Sequence, residues 1–430
     1  MKKKFLSLLS VISVILNLSA LISYADETPV TEFTIEKDIV LFNADGSQIY
    51  EPNIDYTYTV SPVTVENASV TVTDENSATQ IVGVRSGIAD AVSIKGNAQN
   101  AEWNSTAVLT FGADSLTDTN QENQTITINS AHADENLNIR LDASAIYQNG
   151  ANPAGIYRYQ ITDTTADTAL TSAGIRRNPD YETTLYLDVY TKYNTERDNL
   201  FVYGYVLFKD DADHAVSHSF ENTTESEADK ISGYDVESEE IIDPSDPENP
   251  VIISDQYHTH NIEIKKKTAG DLADGSHPFP FTLALKNNII QSQTDFYDST
   301  GTQKMLSADG IYTESTALRN GESIIFYGLP EHTEIKVTEI NDTADQYFVS
   351  ASMNDEAIEL ASDLTGNQKS ASTEYQSISK TESRDIILFT NTLNDISVTG
   401  VFFTVMPFVF ITIAGMLLLI VCIRNKKSVG

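Results

Sequence analysis

The chain has 430 residues, 62 Asp and Glu against 27 Lys and Arg, and a formal charge of −35. A surface this acidic excludes nucleic acid as a partner, because phosphates demand a basic surface. The single cysteine, Cys422, excludes an intramolecular disulfide framework.

Met1-Lys2-Lys3-Lys4, an apolar run from Phe5 to Ile22 and then Ser23-Tyr24-Ala25 form the basic, apolar and small-residue regions of a secretory signal peptide, residues 1–25. The exported remainder, about 370 residues, is long enough for two cores. It reads as strand nearly throughout: Thr, Val, Ile and Tyr alternate with polar residues between Asn, Asp, Gly and Pro, as in Tyr56-Thr57-Tyr58-Thr59-Val60 and Leu185-Tyr186-Leu187-Asp188-Val189. Asp45-Gly46 suits a hairpin turn. No long segment carries a helical period, so the fold class expected is all-β, two immunoglobulin-like β-sandwiches in tandem.

One shift in composition divides the exported region. Residues 221–250 are acidic and poor in large apolar residues, which predicts a mobile loop. Domains are accordingly expected at 26–257 and 258–394. His258 and His260 share one strand face without a third ligand at metal spacing, and they read as strand-edge surface residues. Neither a metal nor a cofactor is expected, and no nucleophile or phosphate-loop motif points to an enzyme.

The informative residues are polar groups on faces that alternation assigns to the core. Ile262, Ile264 and Lys266 share a face, as do Ile335, Val337 and Glu339, and Ile387, Phe389 and Asn391. A lone buried charge costs several kcal/mol. One shared site therefore accounts for the three better than three accidents. In the first domain Phe33, Ile35 and Lys37 repeat the pattern.

These residues carry a resemblance. Asn261 through Lys266, with Thr268, Gly270 and Phe279-Pro280-Phe281-Thr282-Leu283, then Gly328-Leu329-Pro330, Val337-Thr338-Glu339 and Phe389-Thr390-Asn391, resemble in order the landmarks of a collagen-adhesin B-type (Cna-B) domain. The resemblance implies an autocatalytic intramolecular isopeptide bond. Lys266 would be the amine, Asn391 the acceptor and Glu339 the assisting acid. The segment Gly155 to Asp163 resembles the glutamate-bearing strand of the streptococcal pilin isopeptide-linkage family, with Asp163 at the glutamate position. Val251 to Tyr257 falls where that family closes its domain, with Asp255 at the asparagine position. The implied bond is Lys37–Asp255, assisted by Asp163 and losing water in place of ammonia.

The tail, residues 395–430, holds Ile396-Ser397-Val398-Thr399-Gly400, an apolar run Val401 to Ile423 and a basic cluster at Arg424, Lys426 and Lys427. The run is long enough to span a bilayer as a transmembrane helix, which takes about 20 residues. The arrangement resembles a sortase sorting signal, with Ile396 for leucine and Ser397 for proline, and implies cleavage between Thr399 and Gly400. Val189-Tyr190-Thr191-Lys192 resembles, without the proline, the stretch whose lysine links pilin subunits. The plain reading of Lys192 is a solvent-facing lysine on a strand. Together these resemblances imply a Gram-positive pilin shaft subunit, exported to the cell surface with a membrane-anchored precursor. Its implied partners are sortase and other pilin subunits or peptidoglycan. The alternative is a non-polymerising wall- or membrane-anchored adhesin with a host surface ligand.

Overall fold

The computed structural model describes residues 30–43, 49–73, 79–112, 115–116, 129–178, 183–209, 219–220, 230–235, 240–242, 254–341, 347–363, 369–381, 383–394 and 415–417. The expected signal peptide, Asp45-Gly46, Thr399 and Gly400 lie outside these, as does the terminal apolar run except 415–417, which are helical. Among the described residues no helix is long and apolar enough to cross a membrane.

The molecule is all-β, as its alternation predicts. The first strand, Glu32–Asn43, buries Phe33, Ile35, Lys37, Ile39 and Leu41 on one face. It lies antiparallel to Asn129–Leu141, from Glu32 opposite Arg140 to Asn43 opposite Asn129. Its other edge pairs in parallel with the start of Ser254–Ala269, Asp38 opposite Ser254 and Phe42 opposite His258. A second sheet that includes Ile54–Pro62, Thr106–Phe111, Gly155–Asp163, Thr184–Tyr193 and Leu200–Phe208 faces it. Tyr56, Leu109, Phe111, Ile139, Leu187, Val189 and Tyr205 fill the space between. Each such side chain contributes about 1.5–3 kcal/mol on burial, and Phe33 stacks on Tyr205 at 4.0 Å.

In the second sandwich the later part of Ser254–Ala269 pairs antiparallel with Ser323–Pro330. Its other edge pairs in parallel with the last strand, Asp385–Thr392, from Ile262 opposite Asp385 to Ala269 opposite Thr392. The facing sheet includes Phe279–Lys286, Ile311–Leu318 and Glu334–Asn341. Ile264, Leu283, Phe326, Val337 and Phe389 are fully buried between them, and Phe281 meets Phe389 edge-on at 5.5 Å.

Ser254–Ala269 therefore joins the two sandwiches without a break. Asp255, Tyr257 and Thr259 are buried, and then Ile262, Ile264 and Lys266. The change from odd to even positions falls at an irregularity in register between His260 and Ile262. One extra residue there moves the inward face by one position. Tyr257 thus packs in the first core and Ile262 in the second. Beside it, Gly174 has φ 78 and approaches the Tyr257 ring so closely that a Cβ would sit 3.1 Å from it. The junction is also bridged by Asn53 Nδ2 donating to Gln293 O at 2.9 Å and by an Arg176–Glu331 ion pair.

Two expectations are corrected. His258 and His260 are not edge residues, since the joining strand has hydrogen-bonded neighbours on both sides. His260 is buried with Nδ1 2.9 Å from Lys380 O, and His258 is half-buried, stacked on Phe42 at 4.5 Å. The acidic stretch is not wholly a loop. Lys230–Asp235 adds to Leu200–Phe208, and Glu240–Ile242 adds to that strand in turn. Ile231 enters the first core and anchors the addition.

Candidate cross-linking sites

Lys266, Glu339 and Asn391 meet inside the second sandwich. Lys266 and Asn391 stand on neighbouring parallel strands, with Asn391 opposite Thr268 in register and so two positions beyond Lys266. Glu339 reaches them from the facing sheet, where it pairs with Phe281. All three are at most 1% exposed. Lys266 Nζ donates to Glu339 Oε2 at 2.8 Å, and Asn391 Nδ2 donates to Glu339 Oε1. The Lys266 ammonium lies 4.2 Å from the Phe279 ring centre and 5.7 Å from that of Phe281.

Burial drives both ionisable groups toward their neutral forms. Desolvation pulls the Lys266 amine down to about 8, against the pull of Glu339. Desolvation likewise raises the Glu339 carboxyl, against Lys266 and Asn391. Asn391 Oδ1 is buried without a hydrogen-bond partner among the described residues. Leaving such an acceptor empty costs about 1–3 kcal/mol. Turning the amide over would set Oδ1 against Glu339, an arrangement that requires a proton on the carboxyl. Burial thus acts on both members of the pair, drawing the Lys266 amine down and the Glu339 carboxyl up.

The first sandwich repeats the arrangement. Asp255 stands opposite Ile39 on parallel strands, again two positions beyond its lysine, Lys37. Lys37 and Asp255 are at most 1% exposed, and Nζ lies 3.0 Å from Asp255 Oδ2. Desolvation lowers the Lys37 amine, opposed by Asp255 and more weakly by Asp163.

Asp163 stands in this neighbourhood, on the facing sheet and opposite Tyr58 in register. Arg177 Nη1 donates to Oδ2 at 3.0 Å and the Thr165 N–H to Oδ1 at 2.9 Å. Two groups that sequence reasoning missed do touch Asp255. The Tyr56 hydroxyl donates to Oδ2 at 2.7 Å and the Asn178 N–H to Oδ1 at 3.1 Å. Asn178 arrives there because the short strand Ile175–Arg176 pairs with Tyr257 and Gln256. The alternation of Tyr56, Tyr58 and Val60 marks Tyr56 as inward, a signal that was available; the Asn178 backbone leaves no trace in sequence.

Burial of charge alone does not define such a site. Arg158 and Asp188 are also buried and form a two-pronged pair at 2.7 and 2.8 Å, yet a guanidinium remains protonated and is no nucleophile. Lys192, expected in solvent, is half-buried with Nζ 5.1 Å from the ring centres of both Phe201 and Tyr203. Among the described residues no group of three His, Cys, Asp or Glu is placed to hold a metal ion.

Residues 260–392 match a family described as a Domain of unknown function (DUF7601). No curated protein matches the chain. Among solved structures, the chain is similar to the major pilin from Streptococcus pyogenes, at 20% identity over 85% of this chain and 99% of that one, with a TM-score of 0.40. It is similar also to the major pilin protein T-13 of the same organism, at 16% identity over 85% and 98%, with a TM-score of 0.38. A pilus-presented adhesin matches over 51% of this chain and 38% of that one, at 16% identity and a TM-score of 0.21. With scores this low the similarity stands as a likeness alone.

Proposed function

We propose that this chain is a structural protein of the Gram-positive cell surface, a pilin shaft subunit. Its sandwiches, domains 26–257 and 258–394, are each closed by a self-formed isopeptide bond. The observation that carries the reading is the repeated offset: a buried lysine with its acceptor two positions further along, on a neighbouring parallel strand, in both sandwiches.

The chemistry follows from the groups present. In the second sandwich neutral Lys266 Nζ attacks Asn391 Cγ while the Glu339 proton polarises the carbonyl and then passes to the departing nitrogen, and the carboxylate takes up the proton that Lys266 sheds. Amine and amide yield a new amide and one ammonia. In the first sandwich an ammonium and a carboxylate yield an amide and one water. Folding supplies the effective concentration that a bimolecular reaction lacks. Each bond forms once, so the protein is its own substrate and not an enzyme. Export by residues 1–25, transfer of the Thr399 carboxyl by a sortase after cleavage at Gly400, and transient anchoring by Val401 to Ile423 complete the reading. The amine that receives Thr399 is that of another subunit or of peptidoglycan.

The test is the intact mass of residues 26–394, which contain both cores and both sites. A deficit of one ammonia plus one water is expected. An unmodified mass would remove the isopeptide reading and leave two buried ion pairs.

A further inference from the structure

Within that reading, on which this inference rests, we propose that Tyr56 is the catalytic acid of the Lys37–Asp255 bond, and that the Asn178 N–H marks the carbonyl oxygen that remains.

The condensation must expel one carboxylate oxygen, and the two oxygens of Asp255 have different surroundings. Oδ2 receives both Lys37 Nζ, at 3.0 Å, and the Tyr56 hydroxyl, at 2.7 Å. Oδ1 receives the Asn178 backbone N–H, at 3.1 Å. A backbone N–H cannot pass on its proton in such a step, but it stabilises negative charge on the oxygen it faces. Oδ1 therefore becomes the amide oxygen and Oδ2 leaves.

The protons balance within the pair and its neighbour. Lys37 begins with three on nitrogen, passes one to Oδ2 and so frees its lone pair, and keeps one in the amide. As nitrogen bonds to Cγ and the Cγ–Oδ2 bond breaks, Tyr56 gives its proton to Oδ2 and recovers one from the lysine. Oδ2 departs as water carrying two protons, and no outside acid or oxidant is consumed.

Tyr56 is positioned for this. It is fully buried, wedged edge-on against Phe111 at 5.5 Å, and its ring centre lies 4.6 Å from Lys37 Nζ. It projects from the sheet facing Lys37 and Asp255, as Glu339 does in the second sandwich. Arg177 and Thr165 donate to the Asp163 oxygens, and the Tyr56 hydroxyl donates to Asp255 Oδ2.

The experiment follows mass against time after refolding residues 26–394. In the wild type both losses occur. In Tyr56→Phe the ammonia is lost at the wild-type rate, and the water about 100-fold more slowly or not at all. Water loss from Tyr56→Phe at the wild-type rate overturns the assignment. A wild type that never loses water overturns the Lys37–Asp255 bond itself, and the role of Tyr56 with it. Fluorotyrosine at position 56 guards against a folding defect, since it keeps the shape and acidifies the hydroxyl. It should move the high-pH limb of the water-loss profile to lower pH, and an unmoved profile overturns the role.

Discussion

Lys266 and Glu339, 2.8 Å apart and buried, are pushed toward neutrality by the same cause. Such a pair titrates as a unit. With two protons the lysine is charged and cannot attack. With none the glutamate cannot polarise Asn391. In the proposed reaction the reactive species is the one-proton state with the proton on the carboxyl, so the rate is flat while the pair holds one proton. Because burial brings Lys266 down to about 8, that last proton is lost as the pH climbs through and above this region. Ammonia release after refolding should therefore slow as pH rises beyond about 8, measured by mass over time. A rate that kept rising to pH 10 would mean that neutral lysine suffices and Glu339 gives no proton.

At the scale of elements, each site joins the first strand of a sandwich to its last: Glu32–Asn43 to Ser254–Ala269, then Ser254–Ala269 to Asp385–Thr392. Parallel neighbours of this kind have no hairpin between them, so the only covalent route is through the whole domain. A bond across them removes loop entropy from the unfolded chain, worth about 5 kcal/mol for a loop of this length by the relation derived for disulfides. Asn391→Ala keeps the Lys266–Glu339 pair and deletes only the acceptor. It should lower the melting temperature of the second sandwich by roughly 15–25 °C, read by calorimetry, and leave the water deficit of the first in place. A shift of a degree or two would show that the strands are not covalently joined. The joining strand serves both sites because its bulge turns Asp255 into one core and Lys266 into the other.

For the whole molecule, the two proposed bonds would define a load path. Tension entering before Lys37 crosses to Asp255, follows the joining strand to Lys266, crosses to Asn391 and leaves through the tail. The loops 38–254 and 267–390 lie outside it. In single-molecule pulling, the wild type should show no unfolding extension short of covalent rupture. Lys37→Ala should release the first sandwich, a contour gain on the order of 70 nm. Equal traces for the two would place the load elsewhere. A fibre subunit, as proposed, would gain from this, because force and proteases act first on frayed ends.

Lys37, Lys266, Glu339 and Asn391 were legible before any coordinates, because a strand's period of two reports which side chains turn inward, and a charge inward is costly enough to require a reason. Asp255 and Asp163 came through resemblance alone. Periodicity also carried the all-β class. It does not report which strand lies opposite. The capture of Asp163 by Arg177, the approach of Tyr56 and the Asn178 N–H to Asp255, and the central place of His258 and His260 depend on how the sheets stack and how Ile175–Arg176 docks. Those are contacts between residues distant in the chain. Local sequence pattern determined the faces of the strands, and only tertiary packing decided which groups meet across them.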